Sequence, residues 1–399
     1  MSSKINNARA WLLVIFLCLN SYAGFSFISK GVLLPGDFVA NSARPAFLDG
    51  EPFNVSASSA DSLAPTLAVS GNTVHIVWEE RGRVYHRFCR AGTWSPICSV
   101  ATGEQPDIAT DATGVVHLVL VNEFGGNYEI YYCRWIGSTW SLPRNVSNTS
   151  GVSSAPSIAV APDGMLHVVW ADNTPGYNVI YHAYWSGIYW INEPIPNALG
   201  GAPAVAVGMD GIVHVVWQDR DTPSAPYEIY YSQWNGVNWS LPENLSDSAT
   251  EQSIIPNMAI DGDNAAHVLW QERVNGHYAI YHTWGSVGFW SVPQRVSEDE
   301  VDAYLPSVAV ALGGVLYAGW DESTVLFYRH KRKADHAWLQ PIMVFSDTQG
   351  VTDLQLAVGA GGQLHGAWSR HIEAGNWDVW YQRLSITLIL PIVLKRLAF

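Results

Sequence analysis

One motif recurs seven times along this 399-residue chain, and no other feature narrows its fold so far. Its clearest copies read Pro-Ser-Ile-Ala-Val-Ala-Pro-Asp-Gly-Met-Leu-His-Val-Val-Trp over 156–170 and Pro-Ala-Val-Ala-Val-Gly-Met-Asp-Gly-Ile-Val-His-Val-Val-Trp over 203–217. The others start at Pro65, Pro106, Pro256, Pro306 and Leu354, giving intervals of 41, 50, 47, 53, 50 and 48 residues. A period of about 40–50 residues holding several short strand signals predicts an all-β chain, a β-propeller with one blade per copy.

Each copy predicts four strands. A short inner strand ends at an Asp-Gly turn such as Asp163-Gly164 or Asp210-Gly211, a hairpin signal because Gly adopts the positive φ these turns require. The second strand, His-Val-Val-Trp, is apolar without alternation, which suits a sheet buried on both faces between neighbours. The third begins at Ile130, Ile180, Ile229 or Ile280, and the fourth follows a Trp, as at Trp140 and Trp239. Blade two carries Leu120 in place of the second-strand Trp. The last copy lacks a fourth strand, while residues 51–56 (Glu-Pro-Phe-Asn-Val-Ser) precede the first copy and match Leu-Pro-Arg-Asn-Val-Ser at 142–147. The N-terminal segment is therefore expected to complete the last blade and remove an exposed edge.

This assigns residues 47–384 to the propeller. Lys4 and Arg9 before the apolar run Trp11–Leu19, with small residues near Ala23, read as an export signal over 1–23, followed by a linker over 24–46. Residues 385–399 form an apolar tail interrupted by Pro391, too short to span a bilayer. The tail resembles the Leu-Pro endings of many secreted bacterial proteins; a last strand packed on the propeller is the alternative. The mature chain is thus expected to be secreted or held at the cell surface, without a transmembrane helix and as a monomer. Removing 1–23 leaves 19 basic against 35 acidic residues, a net charge of about −16, which excludes a nucleic-acid partner. Cys89 and Cys98 flank the turn at Gly92; in an exported chain a disulfide between them and two free thiols are evenly weighted alternatives. Neither a metal-ligand spacing nor a cofactor motif is present, and Asp261-Gly-Asp263 lacks the rest of a calcium loop.

Loops joining strands two to three and four to one share one face, where propeller sites commonly sit. A carboxylate stands two residues after the second-strand Trp in five blades: Glu80, Asp172, Asp219, Glu272 and Glu322. Arg81, Arg220 and Arg273 follow three of them, and blade seven has Arg370 and His371 instead. These residues form a candidate rim for a polyhydroxylated or charged ligand. The competing reading is a structural lock repeated in every blade, and register repetition favours it. A single pocket should sit where the repeat breaks, at Arg370 and His371 with Glu322, Glu80 and Arg81 from adjoining blades. His75, His117, His167, His214, His267 and His365 share one repeat position, so they are expected to be structural, hydrogen-bonded between blades. Tyr131, Tyr181, Tyr230, Tyr281 and Tyr381 read as a core ladder. Trp140, Trp190, Trp239 and Trp290 could lie half exposed and stack on sugars. The basic run 329–333 and the Asn-x-Ser/Thr sites at Asn54, Asn145, Asn148, Asn238 and Asn244 are explained by hairpin and fourth-strand position.

The pattern Pro-x-Ile-Ala-Val…Gly-x-x-His-Val-Val-Trp resembles the repeats of secreted bacterial propellers grouped with the sialidase and BNR-repeat superfamily. Its Ser-x-Asp-x-Gly-x-Thr-Trp box is absent in recognisable form. The second strand also resembles repeats of seven-bladed polysaccharide lyases, which use His or Tyr as base and Arg against a uronate carboxylate. These resemblances imply a scaffold, and a scaffold hosts many activities. The resulting expectation is a secreted or surface binding module for extracellular glycan or a protein partner. A sialidase-like or lyase-like enzyme is the first alternative, and a structural adhesion protein the second.

Overall fold

A computed structural model describes residues 49–384, apart from 221, 223, 249, 250, 334, 336, 373 and 374. The expected export signal, linker and apolar tail lie outside the described residues. Seven antiparallel sheets, each of four strand positions, follow one another around a ring. Blade three is representative, with strands Ser153–Val160, Leu166–Asp172, Val179–Trp185 and Trp190–Leu199. Among the described residues no helix is long and apolar enough to cross a membrane.

The ring closes as the sequence predicts. Asp49–Asn54 is the outer strand of blade seven and pairs antiparallel with Trp377–Leu384, placing Phe53 opposite Tyr381. Asn54 Nδ2 donates to Asp378 Oδ2 at 2.7 Å across 324 residues of sequence.

Blades hold together through seven apolar cores, one per adjacent pair. Second-strand residues Trp78, Trp170, Trp217, Trp270, Trp320 and Trp368 are their largest fully buried side chains, and Leu120 takes the place in blade two. The Trp that opens each fourth strand makes a second lock. Trp94, Trp140, Trp190, Trp239, Trp290 and Trp338 stand edge-on to Tyr381, His86, Tyr132, His182, Tyr231 and His282 of the preceding blade, with ring centroids 4.7–5.3 Å apart. These half-buried indoles are inter-blade contacts.

Two expectations need correction. The repeated His are buried or nearly so, but they bond within their own blade. His75, His167 and His267 meet His86, His182 and His282 at 3.0–3.1 Å; His117, His214 and His365 meet Tyr132, Tyr231 and Tyr381 at 2.7–2.8 Å. Neighbouring strands of one sheet lie about 4.8 Å apart and packed sheets about 10 Å, so the ring reaches its own third strand. Tyr381 consequently belongs with Tyr132 and Tyr231, not with the Tyr131 ladder, whose members Tyr181, Tyr230 and Tyr281 are half-buried and stack on the second-strand Trp. Of the two alternatives left open for Cys89 and Cys98, the structure has the free thiols: the hairpin register sets Cys89 opposite Trp94 and Cys98 opposite His86.

Candidate functional site

The inner strand of every blade is interrupted just before the first residue of the repeat, Pro in six blades and Leu354 in the seventh. Ala64, Gln105, Ala155, Ala202, Ile255, Leu305 and Asp353 all hold φ between +49° and +61°. The register with strand two slips at the same place in all seven blades. In six blades Pro supplies no N–H for the ladder and a bulge absorbs the gap; in the seventh Leu354 stands there, and its N–H leaves the ladder for Asp321 of blade six at 3.2 Å. The bulge N–H then turns to the neighbouring blade. Gln105 donates to Glu79 at 3.0 Å, Ile255 to Gln218 at 2.9 Å, Leu305 to Gln271 at 2.8 Å, and Asp353 to Asp321. Each acceptor directly follows the second-strand Trp or its equivalent. A second set follows one residue after the Pro: Asp107, Asn257 and Ser307 accept N–H groups of Ile158, Val308 and Leu356 at 2.9–3.0 Å.

These bulges surround a cavity of about 240 Å³ at the mouth of the central channel. Pro65, Pro106, Pro156, Pro203 and Pro256 form its wall, and Thr66, Asp107, Ser157, Asn257, Asp353 and Gln355 give it polar groups. Among the described residues no Arg, Lys, His, Tyr or Trp lines it. Carboxylates gather on one side, from blades six, seven, one and two. Burial pushes Asp321 up to about 7 and Asp353 up to about 6, the latter opposed by the Gln355 amide at 2.7 Å. Burial likewise carries Glu79 up to about 7, against the Gln105 N–H and with the charges of Glu104 and Asp353 adding to it. Asp107 is also raised by burial, opposed by the N–H groups it accepts. Among the described residues no three His, Cys, Asp or Glu side chains converge as a metal would need.

The rim residues lie farther out on the same face, at or just beyond the ends of the second strands. Glu80 accepts from Ser58 Oγ at 2.9 Å and Ser62 Oγ at 3.1 Å. Asp172 accepts from Thr149 Oγ1, Ser153 Oγ and the Thr174 N–H at 2.7–2.8 Å. Glu272 takes Ser253 Oγ and Trp270 Nε1, both at 2.6 Å, and Glu322 takes Trp320 Nε1 at 2.7 Å. In Glu80, Asp172 and Glu272 the carboxylate ties strand two to the segment entering its own blade. Asp219 accepts the Arg220 N–H at 2.6 Å, and the Arg220 guanidinium lies 5.0 Å from the Tyr227 ring centre. Arg81 is exposed in a tight turn at φ +50°, and Arg273 is half-buried.

Blade seven is pinned differently. Arg370 Nε donates to Asp347 Oδ2 at 2.6 Å, while its guanidinium lies 5.0 Å from Phe345 and 4.7 Å from Trp380. His371 packs edge-on against Trp377 at 5.2 Å. The hydrogen bonds of Arg370, Glu80 and Glu322 run to these separate partners rather than to one another. The latch residues Glu79, Gln218, Gln271 and Asp321 are not among the candidates that the sequence singles out. Nor are Glu129, Glu228 and Asp378 at the start of strand three, which accept from Ser147, Ser246 and Ser56 of the segment after the fourth strand. Their recurrence directly after the second-strand Trp, or directly before Ile or Val at the start of strand three, is the available signal.

No protein-family model and no curated protein matches the chain. Solved structures do share its fold. An ulvan lyase from a new polysaccharide lyase family, bound to a GlcA(1-4)Rha3S unit, has a TM-score of 0.60 at 9% identity, covering 84% of this chain and 96% of that one. The polysaccharide lyase Uly1 gives 0.54 at 12%, covering 87% and 93%. A Penicillium chrysogenum α-L-arabinanase complexed with arabinobiose gives 0.50 at 12%, covering 70% and 92%. The scaffold is thus one that glycan-acting propellers use.

Proposed function

We propose that this chain is a secreted or cell-surface propeller that binds an extracellular glycan at its channel mouth, and that the glycan is neutral. The observation carrying this reading is the cavity lining: hydroxyl, amide and carboxyl groups with no cationic side chain. Such groups suit sugar hydroxyls, whereas a uronate or sialate carboxylate would meet no guanidinium there and a net charge of −14 overall. At about 240 Å³ the cavity is smaller than the ~300–1,000 Å³ of sites that bury a drug-sized ligand, so it takes one ring or a chain end. Arg370, His371, Glu322, Glu80 and Arg81, with Asp219, Arg220, Glu272 and Arg273 around the ring, are the proposed outer contacts for a longer chain. The match over 92–96% of the lyase and arabinanase chains supports a glycan over a protein partner.

The seven-fold ring supplies its own test substitutions. Ala already occupies the Asp353 position in three blades, at Ala64, Ala155 and Ala202, and the Gln355 position at Ala204. Asp353→Ala and Gln355→Ala should therefore keep the fold and weaken neutral-glycan binding on an array by at least about tenfold. Unchanged binding in both variants would move the site off the channel, and retention by His371→Ala would remove blade seven's rim from it. A hydrolase reading is favoured by Asp353, a carboxyl holding a proton near pH 6 beside the cavity. Sugar release from the bound glycan that Asp353→Ala abolishes would replace binding by hydrolysis.

A further inference from the structure

Where blade seven meets blade six, the repeat changes the sign of its charge. In blades three, five and six the second-strand Trp donates its indole N–H to the carboxylate two residues on, at 3.4 Å to Asp172, 2.6 Å to Glu272 and 2.7 Å to Glu322. Blade seven keeps the fully buried Trp368, but the residue two on is Arg370. A donor stands in place of an acceptor, and Trp368 Nε1 has no partner among the described residues. Trp78 Nε1 and Trp217 Nε1 are unpaired as well, yet their blades retain a carboxylate at that position.

The surroundings of Arg370 differ to match. Strand three sets Trp380 opposite Trp368, where blades three to five have Tyr181, Tyr230 and Tyr281. The guanidinium lies 4.7 Å from the Trp380 ring centre and 5.0 Å from that of Phe345 in blade six. Asp347 engages it through Nε alone, at 2.6 Å, and uses its other oxygen for the Gln349 N–H at 2.9 Å. Among the described residues no acceptor meets either Nη group, although the side chain is only 28% exposed. Trp380 Nε1 is a further buried donor without a partner. Arginines that lock other seams are used differently. Arg87 also packs on two rings, Phe53 and Trp94, but it bonds the Ser95 and Val55 carbonyls through Nε and Nη1. Arg329 is held through both Nη groups, by the Val296 carbonyl and Glu298.

We infer that the seam of blades six and seven at Arg370 is an oxyanion site, which takes a carboxylate or sulfate group of a ligand. The aromatic rings occupy the guanidinium faces and leave its Nη edge as the polar direction, the edge that pairs with two oxygens of one oxyanion. Asp347 fixes the side chain from the Nε side and leaves that edge to the ligand. None of these side chains lines the channel-mouth cavity, so the site is separate and the proposal does not rest on what that cavity binds.

The test is calorimetric titration of the full-length chain with sodium sulfate and, separately, with sodium glucuronate, at an ionic strength held constant with chloride. Saturable binding of at least one is expected, and the tighter of the two names the group. Arg370→Gln should weaken that binding at least about tenfold, since the charge-assisted pair is lost. Trp380→Tyr, which installs the residue of blades three to five, should keep the melting temperature and weaken binding severalfold. Should Arg370→Gln fail to fold, Trp380→Tyr decides alone. Absence of saturable binding in the wild-type chain, or an affinity unchanged in the folded variants, would overturn the site and leave Arg370 as a lock between blades.

Discussion

At the scale of single residues, the ring is fastened by side chains that accept a neighbour's backbone N–H. Gln271 shows the logic. Its side-chain oxygen holds the Leu305 N–H at 2.8 Å, a donor that the bulge has turned away from its own ladder. Gln271→Ala should destabilise the protein by about 1–3 kcal/mol in denaturant unfolding, because a buried donor loses its partner. Gln271→Glu should recover most of that, since Glu79 performs the same task at the boundary of blades one and two. An equal loss in both variants would assign Gln271 to packing alone. These latches were hard to read in the sequence for a physical reason. Glu79, Gln218, Gln271 and Asp321 differ in type, and the partner of each lies in the next blade, set by a register slip that no local pattern announces. The His position was legible because its identity repeats, but its partners alternate between His and Tyr on strand three.

Among the elements, fourth strands were the most legible and the least regular. Pro143 and Pro242 remove N–H donors, so the paired stretch shrinks to Arg144–Asn145 in blade two and Glu243–Asn244 in blade four. Counting these motifs was enough to place the missing one at residues 51–56. The closing strand does more than cover an edge. Ser56 Oγ donates to Asp378, the Val379 N–H donates to Ser56 Oγ at 2.9 Å, and the Ser58 N–H donates to Asp378 Oδ1 at 3.0 Å. Ser58 Oγ in turn reaches Glu80 of blade one, so the segment joins both sides of the seam. A chain starting at residue 57 should leave the outer edge of blade seven's third strand bare and go into aggregates or be cleaved there. A soluble truncated chain with an unshifted melting temperature would contradict that role.

For the whole molecule, acid should be the main solvent stress. Burial lowers His75, His167, His214 and His365 to about 4, and His86 and His182 to about 3. Between pH 6.5 and about 4 the unfolded chain binds protons at these sites and the native ring does not. Stability therefore falls as pH drops through that window, by about 1.4 kcal/mol per pH unit for each independent site. Glu79, Asp321 and Asp353 act in the opposite sense, since their raised values keep protons on the native state up to pH 6–7. Six His outweigh three carboxyls, so the melting temperature should peak near pH 6–7 and decline steeply towards pH 4; a flat profile would mean that the His pairs are hydrated. Finally, the bond from Asn54 to Asp378 sets an order of events. The first strand of the fold has no partner until the last blade has formed, so contacts among neighbouring blades must precede it and closure is the slow, long-range step. A nascent chain cut short anywhere before residue 384 keeps a loose strand at one end and a bare sheet at the other. Completion of the ring thus doubles as a check that synthesis reached the final blade, and a permuted chain with residues 49–56 moved behind the last blade would lose that check while closing faster.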